Sequence, residues 1–137
     1  MDIRILLVDD EEGLLKAVSA GLSLAGYEVD TSLSAIDALN KLKLKEYHIV
    51  ITDINMPEMD GIEFLEKIKH ILPTIEVIMI TAYSTLSKVA LSYSYGANDY
   101  ILKPFEDLSE IEDVVNRTAI KVRRWKNVIR RTVKKKI

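Results

Sequence analysis

Apolar residues along the chain fall into five short runs, and a longer segment of mixed polarity follows each run. Most of the runs are nearly continuous, which is typical of strands that are covered on both faces of a parallel sheet. The run at 27–31 is shorter and alternates between apolar and polar residues. The five predicted strands cover residues 3–10, 27–31, 48–53, 76–81 and 98–104.

The segments between these runs repeat apolar residues every three or four positions, which predicts helices. The predicted helices cover residues 11–25, 34–45, 61–71 and 85–95, and a fifth begins near Asp107. Five strands that alternate with five helices predict an α/β fold with helices on both faces of a parallel sheet. This arrangement is a (βα)5 three-layer sandwich.

Composition narrows the class of protein. The chain has 137 residues, of which 48% are hydrophobic and 29% charged, as expected of one globular protein rather than a disordered chain. The absence of cysteine excludes disulfides and thiol chemistry. No apolar run approaches the roughly 18 residues of a membrane span, and the first run is too short for a signal peptide. We therefore expect a cytoplasmic protein.

Charged and hydroxyl residues stand at the carboxyl ends of the predicted strands. The first strand ends in Asp9 and Asp10, the third in Asp53, the fourth in Thr81, and the fifth reaches Lys103. Sites in open parallel sheets form beyond the carboxyl ends of the strands. If these strands are neighbours, three carboxylates, a hydroxyl and an ammonium meet in one crevice.

This set of groups favours phosphoryl chemistry around a hard cation. Close carboxylates repel one another, so one would be protonated unless a cation intervenes. Oxygen ligands suit Mg²⁺, whereas a site without His or Cys disfavours zinc. An Asp carboxylate can attack phosphorus, while a metal and a lysine neutralise the phosphoryl oxygens. Each residue alone has a plainer interpretation, such as a helix cap for the acids or a solvated lysine.

Four motifs extend this interpretation to a family. "LLVDDE", "TDINMPEMDG", "ITAY" and "YILKPF" together resemble the receiver domain of two-component response regulators, including the chemotaxis receivers. The resemblance covers about residues 3 to 116. It implies the flavodoxin-like fold with strand order 2-1-3-4-5.

The resemblance also assigns the acceptor and the metal ligands. It implies that Asp53 is the phosphoacceptor. Asp10 and Asp53 correspond to side-chain ligands of Mg²⁺, which Mn²⁺ could replace, and Asp9 corresponds to a ligand that acts mostly through water. Asn55 corresponds to the position whose backbone carbonyl is the third protein ligand.

Three further residues acquire roles in the same way. Lys103 resembles the lysine that pairs with the phosphoryl group, and Thr81 resembles the switch hydroxyl. Tyr100 resembles the aromatic residue that changes rotamer with it. Asn55 and Tyr83 stand where the family controls the lifetime of the phosphoryl group.

The expected function is that of a signalling phosphoacceptor. A sensor histidine kinase or phosphotransfer protein would supply the phosphoryl group, and the face of helix 4, strand 5 and helix 5 would then change its affinity for an unknown output partner. Such a protein is no enzyme in the usual sense, because it catalyses only its own phosphorylation and dephosphorylation. The alternative is a phosphorylation-independent interaction module on the same fold.

The carboxyl-terminal segment differs in charge from the rest of the chain. Residues 117–137 hold ten Lys or Arg and no acid, whereas residues 1–116 carry the other 9 basic and all 21 acidic side chains, a balance of −12. We predict a receiver domain at 1–120 and a basic helical extension of the last helix at 121–137.

Residues at heptad spacing continue through the last helix into this extension. They are Leu108, Ile111, Val115, Thr118, Val122, Trp125, Ile129 and Thr132. The extension can be a frayed helix end, a linker to another module, or a surface for a weak homodimer or another partner. Nucleic-acid or membrane-surface binding ranks behind these. Like charge disfavours parallel pairing of two such tails.

Overall fold

The computed structural model describes residues 2–82, 85–103 and 107–135. Within these residues five strands alternate with five helices. Strands β1 to β5 are Arg4–Val8, Glu28–Ser32, Ile49–Asp53, Glu76–Thr81 and Asp99–Leu102. Helices α1 to α5 are Glu12–Leu24, Ala35–Leu44, Gly61–Ile71, Leu86–Ser94 and Ser109–Lys135.

The strands form one parallel sheet with the order β2-β1-β3-β4-β5. This order confirms the predicted flavodoxin-like (βα)5 fold. All residues of β3 are buried, whereas the edge strands β2 and β5 are partly exposed. The difference in burial explains why the central strands have continuous apolar sequences and the edge strands have mixed ones.

Two apolar cores lie on opposite faces of the sheet. Along β1, Ile5 and Leu7 pack in the core that α1 and α5 cover. Leu6 and Val8 point the other way and pack in the core that α2 and α3 cover. Because neighbouring side chains of a strand alternate between faces, both faces must be apolar when both are covered. The sheet is therefore the middle layer of the predicted three-layer sandwich.

Helix α5 is continuous from Ser109 to Lys135, which confirms the predicted extended C-terminal helix. The Asp107 carboxylate accepts a hydrogen bond of 2.8 Å from the Ser109 N–H, so the helix begins where the sequence predicts. The division of the chain at residue 120 stays a prediction. Among the described residues, no helix combines the length and apolar character that a membrane crossing requires.

The second half of α5 passes the amino ends of the central strands. Lys121 Nζ lies 3.3 Å from the carboxylate of Glu76, and Lys126 Nζ lies 2.8 Å from the carboxylate of Glu46. These exposed ion pairs each contribute little to stability, about 0–1 kcal/mol. They hold part of the basic extension against the acidic residues 1–116 of the same chain, which we call the acidic body.

His48 is a buried residue at the start of β3. Its Nδ1 accepts a hydrogen bond of 3.0 Å from the Arg4 N–H, and its Nε2 faces Glu46 Oε1 at 3.5 Å. Burial lowers the pKa of His48 below its ordinary 6.5, and the positive charge of Lys126 adds to this. Protonation of Nδ1 would also remove the acceptor for the Arg4 amide.

The lowered pKa of His48 predicts that the free energy of unfolding decreases in acid. Below about pH 6.5 the unfolded chain binds a proton that native His48 does not, so stability falls as the pH drops through this range. The substitution His48→Gln keeps a hydrogen-bond acceptor but does not titrate. We expect the free energy of urea unfolding to change less between about pH 7.5 and about pH 5.5 in His48→Gln than in the wild type.

Exposed His70 in α3 provides the control for this measurement. His70→Gln should retain the pH dependence of the wild type. An unchanged pH dependence in His48→Gln would contradict the assignment to His48.

Candidate functional site

The carboxyl ends of four strands meet at one edge of the sheet. The Asp9 N–H donates to the Ser32 carbonyl at 3.1 Å, and the Lys103 N–H donates to the Thr81 carbonyl at 2.8 Å. These bonds extend the parallel ladders one residue beyond β1 and β5. Together with Asp53 at the end of β3, they place the predicted residues at the same edge.

Three carboxylates form a cluster at this edge. Asp9, Asp10 and Asp53 each offer an oxygen, and these oxygens lie within 4.8 Å of one another. Asp9 and Asp53 are buried, with 1% and 6% of their surfaces exposed, whereas Asp10 is exposed. Burial raises the pKa of Asp9, although the Glu11 N–H and Lys103 oppose the shift. The acid cluster that the sequence predicts is therefore present.

Lys103 lies between the two buried carboxylates. Its Nζ is 3.0 Å from Asp9 Oδ2 and 3.2 Å from Asp53 Oδ2. Burial alone would lower the pKa of Lys103, but hydrogen bonds and charge from the two aspartates outweigh it, so the pKa is raised. Lys103 therefore carries a positive charge at neutral pH, as binding of a phosphoryl group requires.

Asn55 connects β3 with β4. Its backbone N–H donates to Asp53 Oδ1 at 3.1 Å, and its side-chain Nδ2 donates to Thr81 Oγ1 at 3.1 Å. Thr81 is fully buried. The Thr81 hydroxyl is thus at the site, as predicted. It accepts a hydrogen bond from Asn55, the residue whose backbone carbonyl the sequence predicts as a metal ligand.

Lys88 is a member of the site that the sequence analysis does not find. Its Nζ donates to Asn55 Oδ1 at 3.2 Å from the first turn of α4. A lysine near the start of a helix carries no functional signal in the sequence, because such positions are usually solvated. Only the contact with Asn55 distinguishes it from the other lysines.

Tyr100 lies on β5 and packs against the core between the sheet and α2 and α3. Its hydroxyl oxygen is buried and has no hydrogen-bond partner among the described residues. A buried hydroxyl without a partner costs about 1–3 kcal/mol. Tyr83, the other aromatic residue assigned to the site, lies outside the described residues.

The turn after Asp53 is shaped by close contact between backbones. Asp60 caps α3 by accepting from the Glu63 N–H at 2.9 Å, and the Gly61 N–H donates to the Ile54 carbonyl at 2.7 Å. A Cβ at Gly61 would lie 2.2 Å from the Asp53 carbonyl oxygen. Glycine is therefore required here, since it lets the turn return to the backbone of β3 at Asp53.

The donor set fits a magnesium ion. The cluster consists of carboxylates alone, and such oxygen donors are the ligands that Mg²⁺ prefers. Each buried aspartate directs one oxygen to Lys103 and the other to a backbone N–H. This arrangement fixes the carboxylates in place before any cation arrives. The individual ligand roles of Asp9, Asp10, Asp53 and Asn55 stay predictions.

Comparison with known proteins agrees with this arrangement. The family model described as the response regulator receiver domain matches residues 5–116. This chain belongs to that family. The family match confirms the resemblance inferred from the four motifs. Receiver domains of response regulators act in two-component signalling and bind Mg²⁺ at an acidic pocket, which corresponds to the acid cluster described above.

Three relatives define the likeness further. The receiver is 38% identical over 120 residues to the response regulator FleR of Pseudomonas aeruginosa, 88% of this chain and 25% of FleR. It is 34% identical over 117 residues to sporulation initiation phosphotransferase F of Bacillus subtilis, 85% of this chain and 94% of the relative. It resembles the crystal structure of the response regulator TrrA from Thermotoga maritima in complex with Mg²⁺-BeF, with a TM-score of 0.76 and 33% identity. The match covers 85% of this chain and 98% of the TrrA chain.

These relatives differ in length. The receiver spans about a quarter of the length of FleR and of ZraR of Klebsiella oxytoca, but nearly all of phosphotransferase F. The likeness to FleR and ZraR therefore concerns the receiver part of longer regulators.

The close contact at Gly61 predicts a sharp effect of a single methyl group. Gly61→Ala should lower the free energy of unfolding by about 1–3 kcal/mol, because the Asp53 carbonyl cannot move away without disturbing β3. It should also weaken Mg²⁺ binding, since the turn carries Asn55. Chemical denaturation and a Mg²⁺ titration measure the two effects.

Gly13 in α1 is the matched control, because a Cβ there has nothing within 4 Å. Gly13→Ala should raise stability by up to about 1 kcal/mol, as alanine favours helices. A Gly61→Ala variant as stable as the wild type would contradict the steric argument.

The buried hydroxyl of Tyr100 predicts a stabilising substitution. Tyr100→Phe removes a buried polar atom that has no partner in the described part of the chain, so the free energy of unfolding should rise by about 1 kcal/mol. Tyr93→Phe is the control, because Tyr93 is 83% exposed and its hydroxyl is solvated. A loss of stability in Tyr100→Phe would show that the hydroxyl has a favourable interaction.

Proposed function

We propose that this receiver accepts a phosphoryl group on Asp53 from the phosphohistidine of a sensor histidine kinase or a phosphotransfer protein. The observation that carries the proposal is the position of the Asp53 carboxylate, buried beside two other acids and 3.2 Å from the ammonium of Lys103. A carboxylate in this setting is an oriented nucleophile with a cation at hand for the incoming group.

The proposed transfer exchanges one bond for another. An oxygen of Asp53 forms a P–O bond while the P–N bond of phosphohistidine breaks, and the electron pair stays on the imidazole nitrogen, which takes up a proton. The Lys103 ammonium neutralises the oxygens of the transferred group. Transfer needs no further base on the receiver, because the Asp53 carboxylate attacks in its ionised form.

The acid cluster would hold the metal during this step. We propose Asp10 and Asp53 as side-chain ligands of Mg²⁺, Asn55 as a ligand through its backbone carbonyl, and Asp9 as a ligand through water. A bound Mg²⁺ supplies positive charge against the phosphoryl oxygens and so supports in-line transfer. The preformed hydrogen bonds of Asp9 and Asp53 support this assignment, because they orient the carboxylates.

We propose that the phosphoryl group then shifts the receiver between two arrangements. The Thr81 hydroxyl donates to a phosphoryl oxygen, and the Tyr100 ring follows into the space that Thr81 vacates. The face formed by α4, β5 and α5 changes its affinity for the output partner. A phosphoryl group can drive this change only to the extent that it binds one arrangement better than the other.

The chemistry at Asp53 is tested with a small phosphoryl donor. The full chain is incubated with acetyl phosphate and Mg²⁺ and weighed intact by mass spectrometry. We expect a mass gain of one phosphoryl group that is lost on treatment with base. Asp53→Asn should show no gain, because an amide does not replace the carboxylate as nucleophile.

Asp2→Asn is the matched control, since exposed Asp2 lies away from the cluster. It should gain the phosphoryl group as the wild type does. A gain that persists in Asp53→Asn, or no gain in the wild type, overturns the proposed function.

We also propose that the basic part of α5 mediates weak self-association. Trp125, Ile129 and Val133 lie on one stripe of the helix and are 59%, 56% and 55% exposed. The first two line a cleft of about 580 Å³ that Leu42 and Leu72 also line. A second copy fits this surface, because its acidic body complements the positive charge around the stripe.

Sedimentation velocity of the full chain tests this association. We expect a larger mass at low salt than at high salt, since screening weakens contacts between exposed charges. The double substitution Arg130→Glu and Arg131→Glu should give the monomer mass in both conditions. Lys16→Glu with Lys43→Glu controls for net charge and should associate like the wild type. One mass in all conditions would exclude self-association.

A further inference from the structure

A short polar chain links helix α4 to the hydroxyl at the end of β4. Lys88 Nζ donates to Asn55 Oδ1 at 3.2 Å, and Asn55 Nδ2 donates to Thr81 Oγ1 at 3.1 Å. The three residues come from the first turn of α4, the loop after β3 and the end of β4. Asn55 is 26 residues from Thr81 and 33 residues from Lys88 in sequence, so the fold brings it to the other two.

The direction of each hydrogen bond in this chain is determined. An ammonium can only donate, so Lys88 must face the oxygen of the Asn55 side chain. The amide nitrogen is then directed to Thr81, where it occupies a lone pair of the hydroxyl oxygen. Lys88 therefore orients the Asn55 side chain, and Asn55 contributes one of the interactions that hold Thr81.

The position of Lys88 itself is well defined. Its backbone N–H donates to the side chain of Thr85, the N-cap of α4, at 3.2 Å. Its carbonyl accepts from the Ser92 hydroxyl at 2.8 Å. The side chain thus extends from a capped turn, and its contact with Asn55 connects the start of the helix directly to the site.

Helix α4 is held to the body by few other contacts of its own side chains. Ser92 is its one buried residue, whereas α3 buries Gly61, Phe64, Leu65 and Ile68. Helices with few buried apolar groups shift at the least cost in free energy. The contact of Lys88 with Asn55 is therefore one of a small number of side-chain contacts that help to position α4.

We propose that Lys88 is a positioning residue that stabilises the unphosphorylated arrangement. Through Asn55 it holds the Thr81 hydroxyl in place and ties α4 to the site. A phosphoryl group on Asp53 draws the Thr81 hydroxyl towards its own oxygens, so the bond from Asn55 breaks and α4 is released. This inference rests on the proposed function. It adds that Lys88 shifts the equilibrium between the two arrangements towards the unphosphorylated one.

The experiment compares the full-length wild type with Lys88→Met and Lys88→Arg by NMR of backbone amides. The substitution to Met removes the donor, and the substitution to Arg keeps both charge and donor. The probe is beryllium fluoride with Mg²⁺, which defines the signal positions of the activated arrangement in the wild type. The signals to be followed are those of Thr81 and of α4.

Without the probe, Lys88→Met should shift these signals from their resting positions towards the positions of the activated wild type. The reason is that the resting arrangement has lost the hydrogen bond from Lys88 to Asn55. Lys88→Arg should remain close to the wild type. At about 0.5 M salt, where attraction of anions is screened, Lys88→Met should bind the probe about 2- to 5-fold more tightly than the wild type.

Lys43→Met removes the same charge from an exposed position on α2 and should leave the signals of Thr81 and α4 in place. If the wild type responds to the probe but the Lys88→Met signals do not move, or move away from the activated positions, the role of Lys88 is overturned and the proposed function stands. If the wild type itself does not respond to the probe, the proposed function fails and this inference fails with it.

Discussion

Two carboxylates that are almost fully buried can share one end of the sheet because a single ammonium lies between them. Lys103 reaches Asp9 and Asp53 at hydrogen-bond distance, and its charge is maintained by both. Removal of one partner from such a group leaves a buried charge uncompensated, which is strongly destabilising. The acidic site and its lysine therefore form one unit, and the rest of the structure serves to bring its members together.

The parallel sheet provides that convergence, and the turn after β3 completes it. The acids and the lysine are separated by up to 94 positions in sequence, yet each lies at or just beyond the carboxyl end of a strand. The return of the chain at Gly61 holds the turn against the Asp53 carbonyl. The backbone amide of Asn55 then reaches the Asp53 carboxylate. Strand order and turn geometry thus determine how the carboxylate oxygens are oriented at the acid cluster.

Most of the fold can be predicted from the sequence alone. Both faces of the sheet are covered, so its buried strands must be apolar throughout and are recognisable as continuous apolar runs. Buried strands such as Ile49–Asp53 have continuous apolar sequences, and the helices between them have clear periodicity. The alignment of Asp9, Asp53 and Lys103 follows from one rule about parallel sheets. Their presence at one edge is confirmed, and their roles in phosphoryl transfer stay predictions.

Other features depend on tertiary contacts that leave no pattern in the sequence. Lys88 has the sequence context of an ordinary surface lysine, and its function depends on which loop lies opposite it. The buried hydroxyl of Tyr100 depends on a rotamer, which no periodicity determines. The contact of Lys126 with Glu46 joins residues 80 positions apart. Heptad spacing predicts the apolar stripe of α5 but not the side of the body that it follows.

The continuity of α5 has a mechanical consequence. With 27 residues the helix is about 40 Å long, and it runs from the edge of the sheet that carries the acids to beyond the opposite edge. A rigid rod of that length, tilted by about 5° at its first turn, moves its last turn by about 3 Å. A small tilt of the helix beside the acids would therefore produce a larger displacement of the clustered positive charges at its far end.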